Sequence, residues 1–314
     1  MTETHVVLGA GQIGKALAAT LMQRGHNVVT VQRSAATPIA GITAKRGDIA
    51  DPVFAREVGQ RADVLYHVLN PAYHRWHQEL PQLTAGVLYA AQSSGARLVV
   101  LDNLYMYGQM HGVAMTELSP EVPCSKKGAL RKRMADMLLA AHQAGTARVT
   151  IARASDFVGP GIEQAVLSGR FFDAVLRGKP GDLLGDPSLP HALTYIDDVV
   201  AALATLGSST RGDGQTWIVP TLAAMPIATW ISAFEIQLNL QRKIRSRVAP
   251  PWLMTVLGMF VPIMRELKEM QYQWTAPYLV DDGKFRTAFN VAPTSFQQQI
   301  AATATWALAR GRGQ

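Results

Sequence analysis

The segment His5-Val6-Val7-Leu8-Gly9-Ala10-Gly11-Gln12-Ile13-Gly14 decides the reading of this 314-residue chain. His5 to Leu8 is a short apolar run of strand type. Lys15 to Gln23 follows with Ala16, Leu17, Leu21 and Met22 at helical spacing, and Gly25 ends that helix. A bare G-x-G-x-x-G is a weak signal; a strand before it and a helix after it make it specific. Gly9 permits the tight turn, Gly11 lets the backbone approach a pyrophosphate, and Gly14 lets helix and strand pack closely. The helix N-terminus then offers N–H donors and positive partial charge to phosphate. Gly9, Gly11, Gln12, Ile13 and Gly14 are thus the expected cofactor-binding loop; the alternative is a tight turn with no ligand.

Outward from this loop, short apolar runs alternate with helical spacing. Val28–Val31, Thr43–Lys45, Val64–Val68, Leu98–Leu101 and Arg148–Ala152 read as strands, and Leu80–Ser93 and Leu130–Gln143 as helices. Repeated β-α-β units argue for an α/β fold: a Rossmann-like, doubly wound parallel sheet with a smaller C-terminal α/β substrate lobe. Past Phe157 the pattern breaks at Gly159-Pro160-Gly161 and at Gly178-Lys179-Pro180-Gly181, and prolines punctuate the remainder. The expected division is a dinucleotide domain over 1–158, with 192–206 returning to it, and a substrate lobe over 159–191 and 207–314. The active site is expected in the cleft above the carboxyl ends of the strands. Trp252–Met264 reads as a buried or pocket-lining helix. Arg265–Trp274 reads as an amphipathic pocket lid that brings Tyr272 to the substrate, although Met and aromatic stripes also build plain core.

The second strand ends Val31-Gln32-Arg33-Ser34, with no carboxylate for ribose hydroxyls. Arg33 can pair with a 2′-phosphate and Ser34 can hydrogen-bond it, so NADP(H) is preferred over NAD(H). The alternative is a surface Arg that stacks on adenine without discriminating. Asp48 and Ile49 stand where adenine meets a carboxylate and an apolar cover.

Lys and Arg number 30 against 23 Asp and Glu, a net charge of +7. The basic residues are scattered, and no helix-turn-helix or aromatic-interleaved basic motif appears, which argues against nucleic acid. The single cysteine, Cys124, allows neither an intrachain disulfide nor a Cys-built zinc site. With no leader pattern at the N-terminus and no apolar stretch of spanning length, a cytoplasmic protein without a membrane span is expected. His67, His74 and His77 do not assemble a metal set. The expected partner is a small-molecule substrate, with a homodimer left open.

Six ordered segments resemble the extended, epimerase/dehydratase-like branch of the short-chain dehydrogenase/reductase superfamily. The glycine loop is similar to its first turn. Leu101-Asp102-Asn103-Leu104-Tyr105-Met106-Tyr107-Gly108 resembles "SS-x-x-VYG", and Glu117 to Pro123 resembles "E-x-x-P-x-x-P". Arg153 to Gly161 resembles "R-x-x-x-V-Y-G-P-G", and Thr194 to Val199 resembles "F-V-Y-V-D-D-V". Pro293 to Trp306 resembles the closing "P-T-x-L-x-x-G-I-x-x-T-x-x-W". The resemblance implies an NAD(P)-dependent enzyme with a Ser, Tyr and Lys relay. Here those positions hold Asn103, Lys127 and Arg131.

Under this resemblance Asn103 hydrogen-bonds a substrate oxygen. Lys127 serves as a general acid or as an anchor for an anionic or carbonyl substrate. Arg131, one helical turn on, reaches the nicotinamide ribose but cannot relay protons. The bland alternative places Lys126, Lys127, Arg131, Lys132 and Arg133 on a solvated basic face. Tyr105 is a candidate phenolic acid, while Tyr107 matches a tyrosine that is usually structural. Asp102 is a base or a turn cap, and Asp156 reaches the cleft or bonds its own loop. His191 stands where the branch often places a substrate-binding residue; a structural His is the rival reading. The leading expectation is an oxidoreductase moving hydride to or from a carbonyl, imine, alkene or alcohol. A nucleotide-sugar-type epimerase/dehydratase is second, and a non-catalytic NADP(H)-binding sensor is the rival of another class.

Overall fold

The computed structural model describes residues 2–34, 39–248 and 262–312, with backbone alone for 262–264 and 312. The chain forms two compact units. The first holds 1–106, 126–154 and 199–219; the second holds 107–125, 155–198 and 220–314.

The first unit is built on seven strands. β1 (Thr4–Leu8), β2 (Asn27–Gln32) and β3 (Thr43–Arg46) are followed by β4 (Val64–His67), β5 (Arg97–Asp102) and β6 (Arg148–Arg153). A strand at Thr216–Ile218 completes the sheet beside β6. Every pairing is parallel. From β1 the order runs to β2 and β3 on one side, and to β4, β5, β6 and Thr216–Ile218 on the other. The reversal of order beside β1 opens a crevice at the carboxyl ends of the strands. Because both sheet faces are covered, the strands read as continuous β-branched and aliphatic runs. Val7, Leu8, Leu65, Leu98, Val99, Val149 and Ile151 are all at most 1% exposed. Each such side chain stabilises the fold by about 1.5–3 kcal/mol.

Helices join the strands: α1 (Gln12–Gln23), α2 (Pro52–Gly59), α3 (Trp76–Ser94) and α4 (Lys126–Gln143). Asp51 caps α2, its side chain accepting from the Val53 N–H with Pro52 at the first helical position. Gly95, at φ +73°, ends α3 in the left-handed conformation. α3 begins four residues before the expected Leu80, and Pro81 falls within the helix. The expected strands at His5–Leu8, Val28–Val31, Thr43–Lys45, Leu98–Leu101 and Arg148–Ala152 widen by one residue at one or both ends, and Val64–Val68 ends one residue earlier.

The second unit is made of short strand pairs and helices. Asp156–Val158 pairs with Leu193–Tyr195, Gly181–Leu183 with Ser246–Val248, and Pro190–His191 with Met225–Pro226. Phe172 is enclosed edge-on by Phe171, Phe234 and Trp306. These contacts shift the expected boundaries of 158, 192 and 206. Residues 155–158 and 192–195 bond each other: the Ser155 hydroxyl meets Thr194 at 2.8 Å and the Ala192 carbonyl at 3.0 Å. Residues 107–125 also join this unit, where Met115 bridges Val280. The return to the sheet therefore begins at Val199 and extends to Val219, because Thr216–Ile218 is a sheet strand. Trp252 to Val261 lie outside the described residues. The expected helix over Arg265–Trp274 is two pieces, an α-helix ending at Glu269 and a 3₁₀ turn at Gln271–Trp274.

A Cβ built on Gly14 meets the Gly9 carbonyl oxygen at 1.8 Å, so helix and loop touch only because Gly14 lacks a side chain. Gly14→Ala is expected to lower the urea unfolding midpoint, corresponding to about 1–3 kcal/mol. An unchanged midpoint would show that the turn yields at no cost.

Candidate active site

The site is built first from the glycine turn between β1 and α1. Gly9 adopts φ +109°, and its N–H donates to the Val31 carbonyl at 2.9 Å, joining the turn to β2. Gly11 is the N-cap residue, with no side-chain cap and no acidic residue in the first turn of α1. A Cβ on Gly11 meets nothing within 4 Å. The turn therefore leaves unsatisfied N–H donors at a positive helix end, with open space before them. Those features fit a dinucleotide pyrophosphate. Gln12 is exposed and Ile13 half-buried at the same end.

At the end of β2, Arg33 is half-exposed and its Nη2 lies 2.9 Å from Glu79 in the first turn of α3. Arg75 pairs with the same carboxylate. Arg46 donates from Nε to the Arg33 carbonyl at 3.0 Å, while two guanidinium groups, of Arg33 and Arg75, share the Glu79 carboxylate. Ser34 is exposed beside them. Asp48 accepts from the Ala50 N–H at 3.0 Å, capping its own turn. Ile49 is 3% exposed and belongs to the hydrophobic core, so the expected apolar cover for adenine is not a surface side chain.

The carboxyl ends of β4 and β5 carry a second constellation. Asp102 is 7% exposed; Arg131 Nη1 lies 3.4 Å from it and Arg153 Nε 3.9 Å. Its Oδ1 also accepts from the Asn103 N–H at 2.9 Å. Asn103 Oδ1 accepts from the Tyr105 N–H at 3.1 Å. Arg131 donates to Asn70 Oδ1 at 2.8 Å and lies 4.2 Å from the Trp76 ring centre. The solvated basic face is thereby corrected for two of its members: Lys127 is fully buried and Arg131 is 9% exposed. Arg131 is thus engaged by Asp102, Asn70 and Trp76. Lys127 Nζ sits 5.6 Å from the Tyr73 ring centre. The Tyr73 and Tyr105 hydroxyl groups hydrogen-bond each other.

Sequence reasoning missed Tyr73, Trp76, Asn70 and Glu79. Their one sequence signal is the dense run Asn70-Pro71-Ala72-Tyr73-His74-Arg75-Trp76 directly after β4. Asn70-Pro71 marks a turn at a strand's carboxyl end, where ligand-facing residues collect.

His191 and Tyr272 belong to the second unit. His191 is 3% exposed, with Nε2 2.8 Å from Asp156. Its ring lies between Trp274 at 3.6 Å and Tyr278 at 4.8 Å, both nearly parallel. Tyr272 lines a cavity of about 210 Å³ together with Met110, Met115 and Tyr278. Burial pushes its phenol above the ordinary range, as does nearby Cys124. Among the described residues, Glu3, His5 and His26 bring donor atoms within 4.8 Å at the amino ends of β1 and β2. His5 is already bonded to Glu3 at 3.2 Å and to Tyr66 at 2.9 Å, a closed hydrogen-bond chain.

The sheet order and the glycine turn define a Rossmann-type α/β protein. Residues 5–219 match the NAD dependent epimerase/dehydratase family, and the chain belongs to that family. The 2-alkyl-3-oxoalkanoate reductase of Stenotrophomonas maltophilia (strain K279a) is 31% identical over 211 residues, 62% of each chain. The putative UDP-arabinose 4-epimerase 4 of Arabidopsis thaliana is 25% identical over 217 residues, 57% of this chain and 50% of that one. The chain thus matches less than two thirds of either relative's length. The UDP-glucuronic acid 4-epimerase of Bacillus cereus, solved with NAD, has a TM-score of 0.79 at 18% identity, covering 98% of this chain and 99% of that one. The dTDP-glucose 4,6-dehydratase of Bacillus anthracis, also solved with NAD, has a TM-score of 0.79 at 15% identity, covering 98% and 97%. These structures establish likeness of fold. Among the described residues no helix is long and apolar enough to cross a membrane.

Burial, and then the Arg131 charge, push the His67 imidazole down to about 3. A folded-state pKa below the ordinary 6.5 means that the unfolded chain takes up this proton first. Stability is therefore lost as pH falls from about 6.5 toward 3. In urea unfolding across that window, His67→Gln is expected to lose less stability than the wild type. Parallel pH profiles would contradict a neutral, buried His67.

Proposed function

We propose that this protein is an NADP(H)-preferring oxidoreductase that moves hydride between a nicotinamide and a carbonyl-type substrate. The observation that carries the reading is the uncapped start of α1 at Gly11, with open space before it and Arg33 at the end of β2. When bound, the dinucleotide supplies or accepts the hydride. The N–H groups of Gly11, Gln12 and Ile13 hold its pyrophosphate, and Arg33 and Ser34 take a 2′-phosphate. A phosphate at Arg33 competes with Glu79, so the guanidinium is presented already ordered. Asn103 offers its amide to the substrate oxygen, Tyr105 its phenol and Lys127 its buried charge. Arg131 acts by positioning Trp76 and neutralising Asp102. The name of the matched reductase supports a carbonyl substrate bearing alkyl groups. So does the apolar wall around Tyr272, which with His191 we assign to substrate contact. A cytoplasmic location and a homodimer remain part of this reading.

A sensor without turnover is the second reading. It is favoured by the replacement of the Tyr and Lys positions with Lys127 and Arg131, the latter paired with Asp102 and Asn70.

The test is NADPH oxidation against a panel of 2-alkyl-3-oxoalkanoates, simple ketones and UDP-sugars, with binding measured by fluorescence. Turnover on a keto substrate is expected, with a loss of about a hundredfold or more in Lys127→Met. Arg33→Ala is expected to weaken NADPH about tenfold, near 1.4 kcal/mol, and to leave NADH nearly unchanged. Equal weakening of both dinucleotides would remove the phosphate role. Tight binding with no turnover on any member would favour the sensor.

A further inference from the structure

Lys127 stands where the resemblance places a tyrosine, yet the structure brings two other phenols to the same sheet edge. Tyr73 opens the short turn after β4, and Tyr105 follows β5 by three residues. They lie 32 residues apart in sequence, and their hydroxyl groups hydrogen-bond each other. Tyr105 is 7% exposed, whereas Tyr73 is half-buried and reaches solvent. Trp76 fixes both rings, meeting Tyr73 edge-on at 4.8 Å and stacking on Tyr105 at 6.0 Å. The buried Lys127 ammonium lies over the Tyr73 ring.

We propose that Tyr105 and Tyr73 form a two-phenol relay, in which Tyr105 gives its proton to a substrate oxygen and Tyr73 restores it from solvent. The proposal rests on the oxidoreductase reading and adds Tyr73 to it. A phenol oxygen donates one hydrogen bond and accepts others. Either hydroxyl can be the donor in this pair; in the proposed relay Tyr73 donates and Tyr105 accepts. A phenolate formed on Tyr105 keeps the Tyr73 hydrogen bond, which becomes charge-assisted and about twice as strong. Lys127 and Arg131 on α4 favour that anion. Asp102 on β5 opposes it but is itself offset by Arg131 and by Arg153 on β6; His67 on β4 is neutral.

In the reducing direction the carbonyl carbon takes a hydride from the reduced dinucleotide as the C=O π bond breaks. Its oxygen takes the Tyr105 proton, so an alcohol O–H forms as the phenol O–H breaks. The Tyr73 proton crosses to Tyr105, and water supplies the proton that restores Tyr73. The net uptake is one hydride and one proton, which balances ketone to alcohol.

The relay is tested by tyrosinate absorbance against pH in the dinucleotide-free protein, alongside kcat and KM for wild type, Tyr73→Phe and Tyr105→Phe. Tyr66, Tyr195 and Tyr272 are pushed above the ordinary range by burial, so they stay silent early in the titration. A coupled pair loses its first proton below the ordinary value of about 10 and its second well above it. The expected result is an early tyrosinate step in the wild type, missing from both Phe variants. The expected kcat falls about a hundredfold in Tyr105→Phe and about tenfold in Tyr73→Phe, with KM and dinucleotide affinity held. An early step that survives both substitutions, or wild-type kcat in Tyr73→Phe, overturns the relay. An early step with no turnover in the wild type supports the coupled pair and overturns the oxidoreductase reading instead.

Discussion

The carboxylate of Asp102 is the constraint on which the carboxyl edge of the sheet depends. It is buried at the end of β5, with Arg131 and Arg153 both within 4 Å of it. A buried charge left alone costs several kcal/mol, so the two guanidinium groups are required by the acid as much as the acid by them. Arg131, once fixed there, presents its flat face to Trp76 and its Nη2 to Asn70. Trp76 in turn orders Tyr73 and Tyr105. The same Arg131 charge helps keep His67 neutral below the sheet edge. Asp102 also holds the Asn103 backbone, and Asn103 holds the start of the next turn. One ion cluster thus helps set the positions of Asn103, Tyr73 and Tyr105.

This arrangement explains how an edge lacking the family's tyrosine and lysine retains chemical capacity. The cation at Arg131 is spent on structure, whereas Lys127 lies buried against a phenol. In the proposed relay, proton donation moves from the helix to the turns after β4 and β5. The exchange leaves the glycine turn from Gly9 to Gly14, proposed to hold the pyrophosphate, unchanged.

Much of the fold was legible in the sequence because its signals are local. A β-branched run of four or five residues, a glycine at each turn and a 3.6-residue apolar spacing each report on a few neighbouring positions. The start of α3 was less legible, since it depends on what packs upstream of Leu80. Trp76 does pack, at 1% exposure, and carries α3 back one turn. The domain boundaries were less legible because they follow long-range pairing. The strand Leu193–Tyr195 has the right composition for the main sheet but bonds to Asp156–Val158 instead. In the site, Lys127, Asn103 and Tyr105 were found through their place in motifs. Tyr73 and Glu79 were not, because their roles arise only where β4 and α3 bring them beside residues 32 and 46 positions distant.

The central claim is that this edge, organised by Asp102, is where hydride chemistry takes place. A crystal structure of the protein with NADP+ tests it most directly. The account predicts the pyrophosphate on the N-terminus of α1, the 2′-phosphate on Arg33 with Glu79 displaced, and the nicotinamide ring facing Tyr105 and Lys127. A dinucleotide bound with its nicotinamide ring turned away from those two residues would contradict it.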